Sequence, residues 1–240
     1  KKCRNVEQSI TGKERGKWKI MRNRFDRQLL ELNNELIQMG GLIEQAIEMG
    51  ISALIKQDVE KAKQAMEFDE EVDHQEREIE SLCMKLLLQQ QPVARDLRLI
   101  SAALKMITDM ERIGDHAADI SEMTILMSGS KYEGNQSSID LIKDMAKETT
   151  DMVIKSVDAF VKKDLELAHW VIGRDDVVDD LFAAYRRQMI DKINENVKNG
   201  EQATDMLMVA KYFERIGDHA TNIAEWVEFS ITGVHKESHI

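Results

Sequence analysis

The chain has 240 residues, of which 42% are hydrophobic, 5% aromatic and one is proline, a balance that favours helices over sheet. Its 33 basic and 44 acidic side chains leave a net charge of −11, which argues against a nucleic-acid binder, since that needs a basic face, and suits cation binding or solubility instead. Cys3 and Cys83 are the only cysteines and imply no disulfide framework, and no apolar run approaches the roughly 20 residues of a bilayer span; the expected setting is the reducing cytoplasm.

Residues 1–20 (KKCRNVEQSITGKERGKWKI) are basic, contain glycine and lack helical periodicity, so they read as a tail or extension before Met21. From Met21 the apolar positions Phe25, Leu29, Leu32, Leu36, Met39, Ile43, Ile47, Ile51 and Leu54 recur at threes and fours, the signature of an amphipathic helix. A second helix is predicted over Val59 to Gln89, stopped by QQQPV because the residue before a proline disfavours helical geometry. A third runs from Ala94 to Met127. Gly129 and Gly134 in SGSKYEGNQSS then mark a linker. Beyond it three more helices are predicted, over Ile139 to Lys162, Leu165 to Val197 and Glu201 to Ser230, with Asn199 and Gly200 as a break.

Three helices, a linker and three helices indicate a duplication. The heptapeptide ERIGDHA occurs at Glu111 to Ala117 and again at Glu214 to Ala220, 103 residues later. In the preceding helix DEEVD (Asp69 to Asp73) falls opposite DDVVD (Asp175 to Asp179), 106 residues later. That period is too long for a solenoid and suits two copies of one bundle. The expected fold is all-α, with two tandem, internally duplicated three-helix bundles at 21–128 and 139–230, a linker at 129–138, and tails at 1–20 and 231–240.

At about 100° per residue, Met106, Met110, Ile113, Ala117 and Ile120 form a core seam, matched by Val209, Phe213, Ile216, Ala220, Ile223 and Val227. Glu111 and Asp115 lie four residues apart on another side, continuing an apolar line through Ile100, Leu104 and Ile107, with Asp119 one turn further. Glu214, Asp218 and Asn222 repeat this behind Leu207 and Ala210. On the neighbouring helices Asp69 with Asp73, and Asp175 with Asp179, interrupt apolar lines in the same way. Helices facing one another along these lines would gather four or more carboxylates in each half. Such a cluster must take up protons or a counter-cation, and hard oxygen donors suit Mg²⁺, Ca²⁺, Mn²⁺ or Fe³⁺. Gly114 and Gly217, between the paired acids, leave room for another helix or a metal cluster. The alternative is a solvated acidic edge paired with Arg112, Arg215 and nearby lysines.

A ferritin-like di-iron oxidase or iron store is the competing class, since it needs Glu-x-x-His pairs. Two occur, Glu71 with His74 and Glu166 with His169, but neither is repeated at its equivalent positions, so both read as coincidence. His116 and His219 do repeat, about 140° from Glu111 and Glu214, and are expected on the polar surface. Cys83 reads as a small buried hydrophobe. No Walker loop, GxGxxG or nucleophile and base constellation is present. Arg95 and Arg98, at a helix start, would attract an anion or pair with Asp96.

MRNRFDRQLLELNNELIQMGGLIEQAIEMG from Met21, QPVARDLRLISAALKMITDMERIGDHAADI from Gln91 and ERIGDHATNI from Glu214 resemble the PhoU family of phosphate-signalling proteins from Met21 to about Phe229. The tail before Met21 departs from it. The resemblance implies a dimer of tandem bundles whose repeated E(D)xxxD motifs carry metal ions, iron clusters first, with Zn, Mn, Mg or Ni as alternatives. Carried over, the motifs give Asp69, Asp73, Glu111, Asp115 and Asp119 in the first half and Asp175, Asp179, Glu214, Asp218 and Asn222 in the second. The resemblance also implies a non-enzymatic role: negative regulation of phosphate uptake and of the starvation response, by contact with the phosphate ABC transporter (its ATPase subunit) and a sensor histidine kinase. The membrane is then reached only through these partners.

Overall fold

The computed structural model describes residues 12–89, 92–129 and 136–234, with side chains from Arg24 onward. Residues 1–11, with Cys3, and parts of the predicted linker and C-terminal tail lie outside the described residues. Seven α-helices are present among them: α1 (Gly12–Lys56), α2 (Val59–Gln89), α3 (Ala94–Leu126), α4 (Gln136–Lys162), α5 (Leu165–Ile172), α6 (Asp175–Glu195) and α7 (Gly200–Thr232). No strand occurs among the described residues. Helices α1 to α3 pack on one another as one bundle; α4, the α5–α6 pair and α7 form the second.

The duplication extends to the helix ends. KQDVE closes α1 and KKDLE closes α4, and in both a residue in the left-handed region follows the last helical turn: Gln57 at φ 52° and Lys163 at φ 55°. Asp58 N–H then donates to Ala53 O at 3.0 Å, and Asp164 N–H to Ala159 O at 2.9 Å. Each aspartate next accepts a free amide in the first turn of the following helix, Lys61 N–H on Asp58 Oδ1 and Leu167 N–H on Asp164 Oδ1, both at 3.0 Å. A left-handed residue satisfies the end of one helix and an aspartate cap starts the next, so the chain reverses without proline.

The predicted seam is the core. Met106, Met110, Ile113, Ala117 and Ile120 are buried, as are Val209, Phe213, Ile216, Ala220, Ile223 and Val227. Along α1, Phe25, Leu32, Leu36, Met39, Ile43, Ile47 and Leu54 are buried, with Leu29 and Ile51 packed beside them. The two bundles meet through α3 on α7 and α1 on α4, where Gly40 lies against Val157. Both α3 and α7 have 33 residues, so the halves join through equivalent helices.

Two expectations are corrected. Residues 12–20, assigned to a tail, are helical and belong to α1. The helix predicted over Leu165 to Val197 is divided after Ile172 and ends at Glu195. Gly173 caps α5, its N–H donating to His169 O at 3.0 Å, and the Arg174 guanidinium turns to clasp Glu148 of α4, with Nη2 to Oε2 at 2.6 Å. The matching position in α2 is Glu67, a better helix former than glycine, and α2 runs on unbroken. Among the described residues no helix is long and apolar enough to cross a membrane.

Candidate metal centre

The paired acids are brought together by a glycine. A side chain on Gly114 would place its Cβ 3.0 Å from Val72 Cγ1, and one on Gly217 would come within 3.3 Å of Val178 Cγ1. Val72 is the valine of DEEVD and Val178 its equivalent in DDVVD, so each bundle seats a buried valine on a bare stretch of the next helix. Interhelical contact this close sets Asp69 and Asp73 beside Glu111 and Asp115, and Asp175 and Asp179 beside Glu214 and Asp218.

The electrostatics of the first half follow the same grouping. Burial, then the charges of Asp115, Asp73 and Asp119, raises the Asp69 carboxyl above the usual range. Burial and Asp115 do the same to Glu111, against the opposing pull of Arg112. Asp69 Oδ1 is buried with no hydrogen-bond donor among the described residues. An acidic oxygen held in a negative field, without a donor, matches a hard cation. The solvated-edge alternative also has a share here: Arg112 Nη1 donates to Asp115 Oδ2 at 2.7 Å and its Nε is 3.3 Å from Glu111 Oε2.

The second half gathers the same four acids. Burial, then Glu214, Asp175 and Asp179, pushes the Asp218 carboxyl up to about 6, with Lys211 opposing, although the residue as a whole is exposed. Burial and Asp179 raise Asp175, which accepts from Thr221 Oγ1 at 3.3 Å; burial and Glu214 raise Asp179. Asp175 also opens α6, where the positive end of the helix dipole favours a carboxylate. Lys211 pairs with Glu214 and lies 5.5 Å from the Phe182 ring. Glu214 Oε2 is buried with no donor aligned for a hydrogen bond, and meets that ammonium by charge alone.

Among the described residues no three His, Cys, Asp or Glu side chains converge closely enough, as they stand, to clasp one ion. Arg112 pairs with Glu111 and Asp115, and Lys211 with Glu214. Glu76, which sequence reading missed, joins the first set: its carboxyl is raised by burial and then by Asp73, and it acts on Glu111. It sits seven residues after Asp69 and three after Asp73, on the same helix face. Its equivalent is Phe182, so internal symmetry could not flag it.

Asp119 and Asn222 each have a hydrogen-bond partner of their own. Asp119 Oδ2 accepts from His116 Nδ1 at 3.2 Å, and Asn222 Nδ2 donates to Asp109 Oδ1 at 3.2 Å. His116 and His219 are not surface residues, contrary to the helical-wheel expectation. They meet in the contact between α3 and α7, ring centres 5.6 Å apart, with side-chain exposures of 12% and 24%. Both Glu-x-x-His pairs are exposed, Glu71 with His74 on α2 and Glu166 with His169 on α5, so they share no interior in which to hold iron. Arg95 is exposed at the start of α3, where Asp96 accepts from Val93 N–H at 3.4 Å. Cys83 is buried, and burial pushes its thiol up to about 12.

Known proteins share this fold. The PhoU domain matches the chain twice, at residues 36–124 and 142–227, once in each bundle. The phosphate-specific transport system accessory protein PhoU homolog of Clostridium acetobutylicum is 37% identical over 89% of this chain and 97% of its own length. The homolog of Pseudomonas putida is 32% identical over 87% of the chain and 81% of its own length. The crystal structure of PhoU from Pseudomonas aeruginosa superposes with a TM-score of 0.82 at 31% identity, covering 88% of this chain and all of that one. A regulatory PhoU from Streptococcus pneumoniae shares the fold, with a TM-score of 0.79 at 24% identity over 89% of this chain and 99% of that one. Two matched domains, on two bundles that carry the same acid pairs, place this chain in the PhoU family.

Proposed function

We propose that this chain is a negative regulator of phosphate uptake and of phosphate-starvation signalling. It works in the cytoplasm as a homodimer, by contact with the ATPase subunit of a phosphate ABC transporter and with a sensor histidine kinase, and it carries no catalysis. The observation behind this reading is the extent of the likeness: both bundles align, over 97% of a relative named as an accessory of phosphate-specific transport. The relative's role therefore draws on the same parts that this chain possesses.

Each bundle in this reading holds metal ions, iron first, between two helices: on Asp69, Asp73, Glu111, Asp115 and Asp119 in one and Asp175, Asp179, Glu214, Asp218 and Asn222 in the other. The donorless Asp69 Oδ1 and the raised Asp218 carboxyl support it. A bound ion would neutralise the clustered carboxylates and fix the spacing of the helices, stabilising the folded chain by mass action.

Complementation tests the regulatory role. In a bacterial strain lacking its own relative, expression of this chain should restore low phosphate uptake in phosphate-rich medium, and the chain should co-purify with the transporter ATPase. Unchanged uptake with no co-purification would refute it.

A further inference from the structure

The contact between α3 and α7 has a chemistry of its own. His116 corresponds to His219, and Asp109 to Tyr212, at the offset of 103. His116 stacks on Tyr212, ring centres 5.7 Å apart, while His219 Nδ1 donates to Asp109 Oδ1 at 2.8 Å. Each histidine thus touches, on the opposite helix, the counterpart of what the other touches. This is the self-complementary contact of a local twofold, and the two imidazoles lie together where it crosses.

Both Nδ1 atoms are committed to carboxylates, His116 to Asp119 on its own helix and His219 to Asp109 across the contact. In each neutral ring the lone pair is then on Nε2. A carboxylate behind Nδ1 fixes the tautomer and raises the basicity of the nitrogen that remains, the usual support for a metal-binding imidazole. We propose that His116 and His219 form a two-imidazole site for a borderline divalent transition-metal ion such as Zn²⁺, Ni²⁺ or Cu²⁺, which ties the first bundle to the second.

Two nitrogens bound to one ion by bonds of about 2 Å lie no more than about 4 Å apart. Rings 5.6 Å apart, centre to centre, meet that span once each Nε2 turns toward the other. Asp109 and Asp119 supply negative charge around the ion, and Arg215 is the nearby opposing charge. Partial exposure of both rings leaves access for the ion and for water on its remaining positions. Imidazole nitrogen selects zinc, nickel and copper, whereas clustered carboxylates select harder ions, so this site and the acid sets differ in what they bind.

Copper provides the test. The full-length chain, free of any affinity tag, is given one equivalent of Cu²⁺, and its electron paramagnetic resonance spectrum should show hyperfine splitting from two imidazole nitrogens. His116→Gln and His219→Gln should each remove one nitrogen and weaken Zn²⁺ binding, followed by calorimetry, at least tenfold. Glu111→Ala with Asp115→Ala should leave the two-nitrogen pattern intact, which separates this site from the carboxylate sets. Oxygen-only ligation in the wild type overturns the proposal and needs no variant to show it. So does a two-nitrogen pattern that survives in the folded double variant, judged by circular dichroism.

Discussion

Val72 of α2 rests on Gly114 of α3 so closely that a methyl group on the glycine would come within 3.0 Å of it. The helix separation set by this pair is the separation of the acids on either side. Alanine at 114 improves helix propensity by about 1 kcal/mol, but overfilling a packed contact costs about 1 to 3 kcal/mol. Gly114→Ala should therefore lower stability by about 1 kcal/mol in urea titration. Gly217→Ala, with 3.3 Å available, should be close to neutral. Adding Val72→Ala to Gly114→Ala should cost less than the two single changes summed, because the space vacated is the space required.

Metal content should divide between the halves. Elemental analysis of protein purified without a metal-affinity tag is expected to find metal in the wild type. Glu111→Ala with Asp115→Ala should lose the first half's share, and Glu214→Ala with Asp218→Ala the second's. A wild type without metal would sink the carboxylate reading and leave the fold as described.

Acidity should stabilise the protein in chelator. Asp218 has its carboxyl raised from 3.8 to about 6, so between those values the folded chain binds more protons than the unfolded one. Stability then increases as pH falls through 6 toward 4, and is lost as pH rises through 6. Asp69, Glu111, Asp175 and Asp179 are shifted in the same direction. The melting temperature in chelator should be higher at pH 5 than at pH 7.5, with Asp218→Asn showing a smaller difference. A melting temperature that falls on acidification would count against clustered carboxylates.

The two aspartate caps should be interchangeable in energy. Asp58→Ala and Asp164→Ala each remove an acceptor for a helix-initiating amide, and each should cost about 1 kcal/mol. Lying in separate bundles, they should add in the double variant, as read from urea midpoints.

Much of this molecule was legible in its sequence because helical periodicity reports on one face at a time. Every residue of the two seams is buried, and the repeated acids sort correctly between neighbouring helices. The interruption at Gly173 was not legible, since the apolar rhythm continues across it and the Arg174–Glu148 clasp that accompanies it comes from another helix. Glu76 escaped because duplication was the guide and its counterpart is Phe182. His116 and His219 were misplaced for a related reason. A helical wheel divides core from water within one bundle, and these side chains face a second bundle that the wheel does not contain.

The meeting of α3 and α7 also carries the duplication. An interface that reads alike from either side needs only one kind of bundle to build it, so two copies of a single bundle meet here through equivalent surfaces. The halves are not identical. Asp109 opposite Tyr212, and Asp119 opposite Asn222, show how far the two copies differ while still meeting through the same pair of histidines.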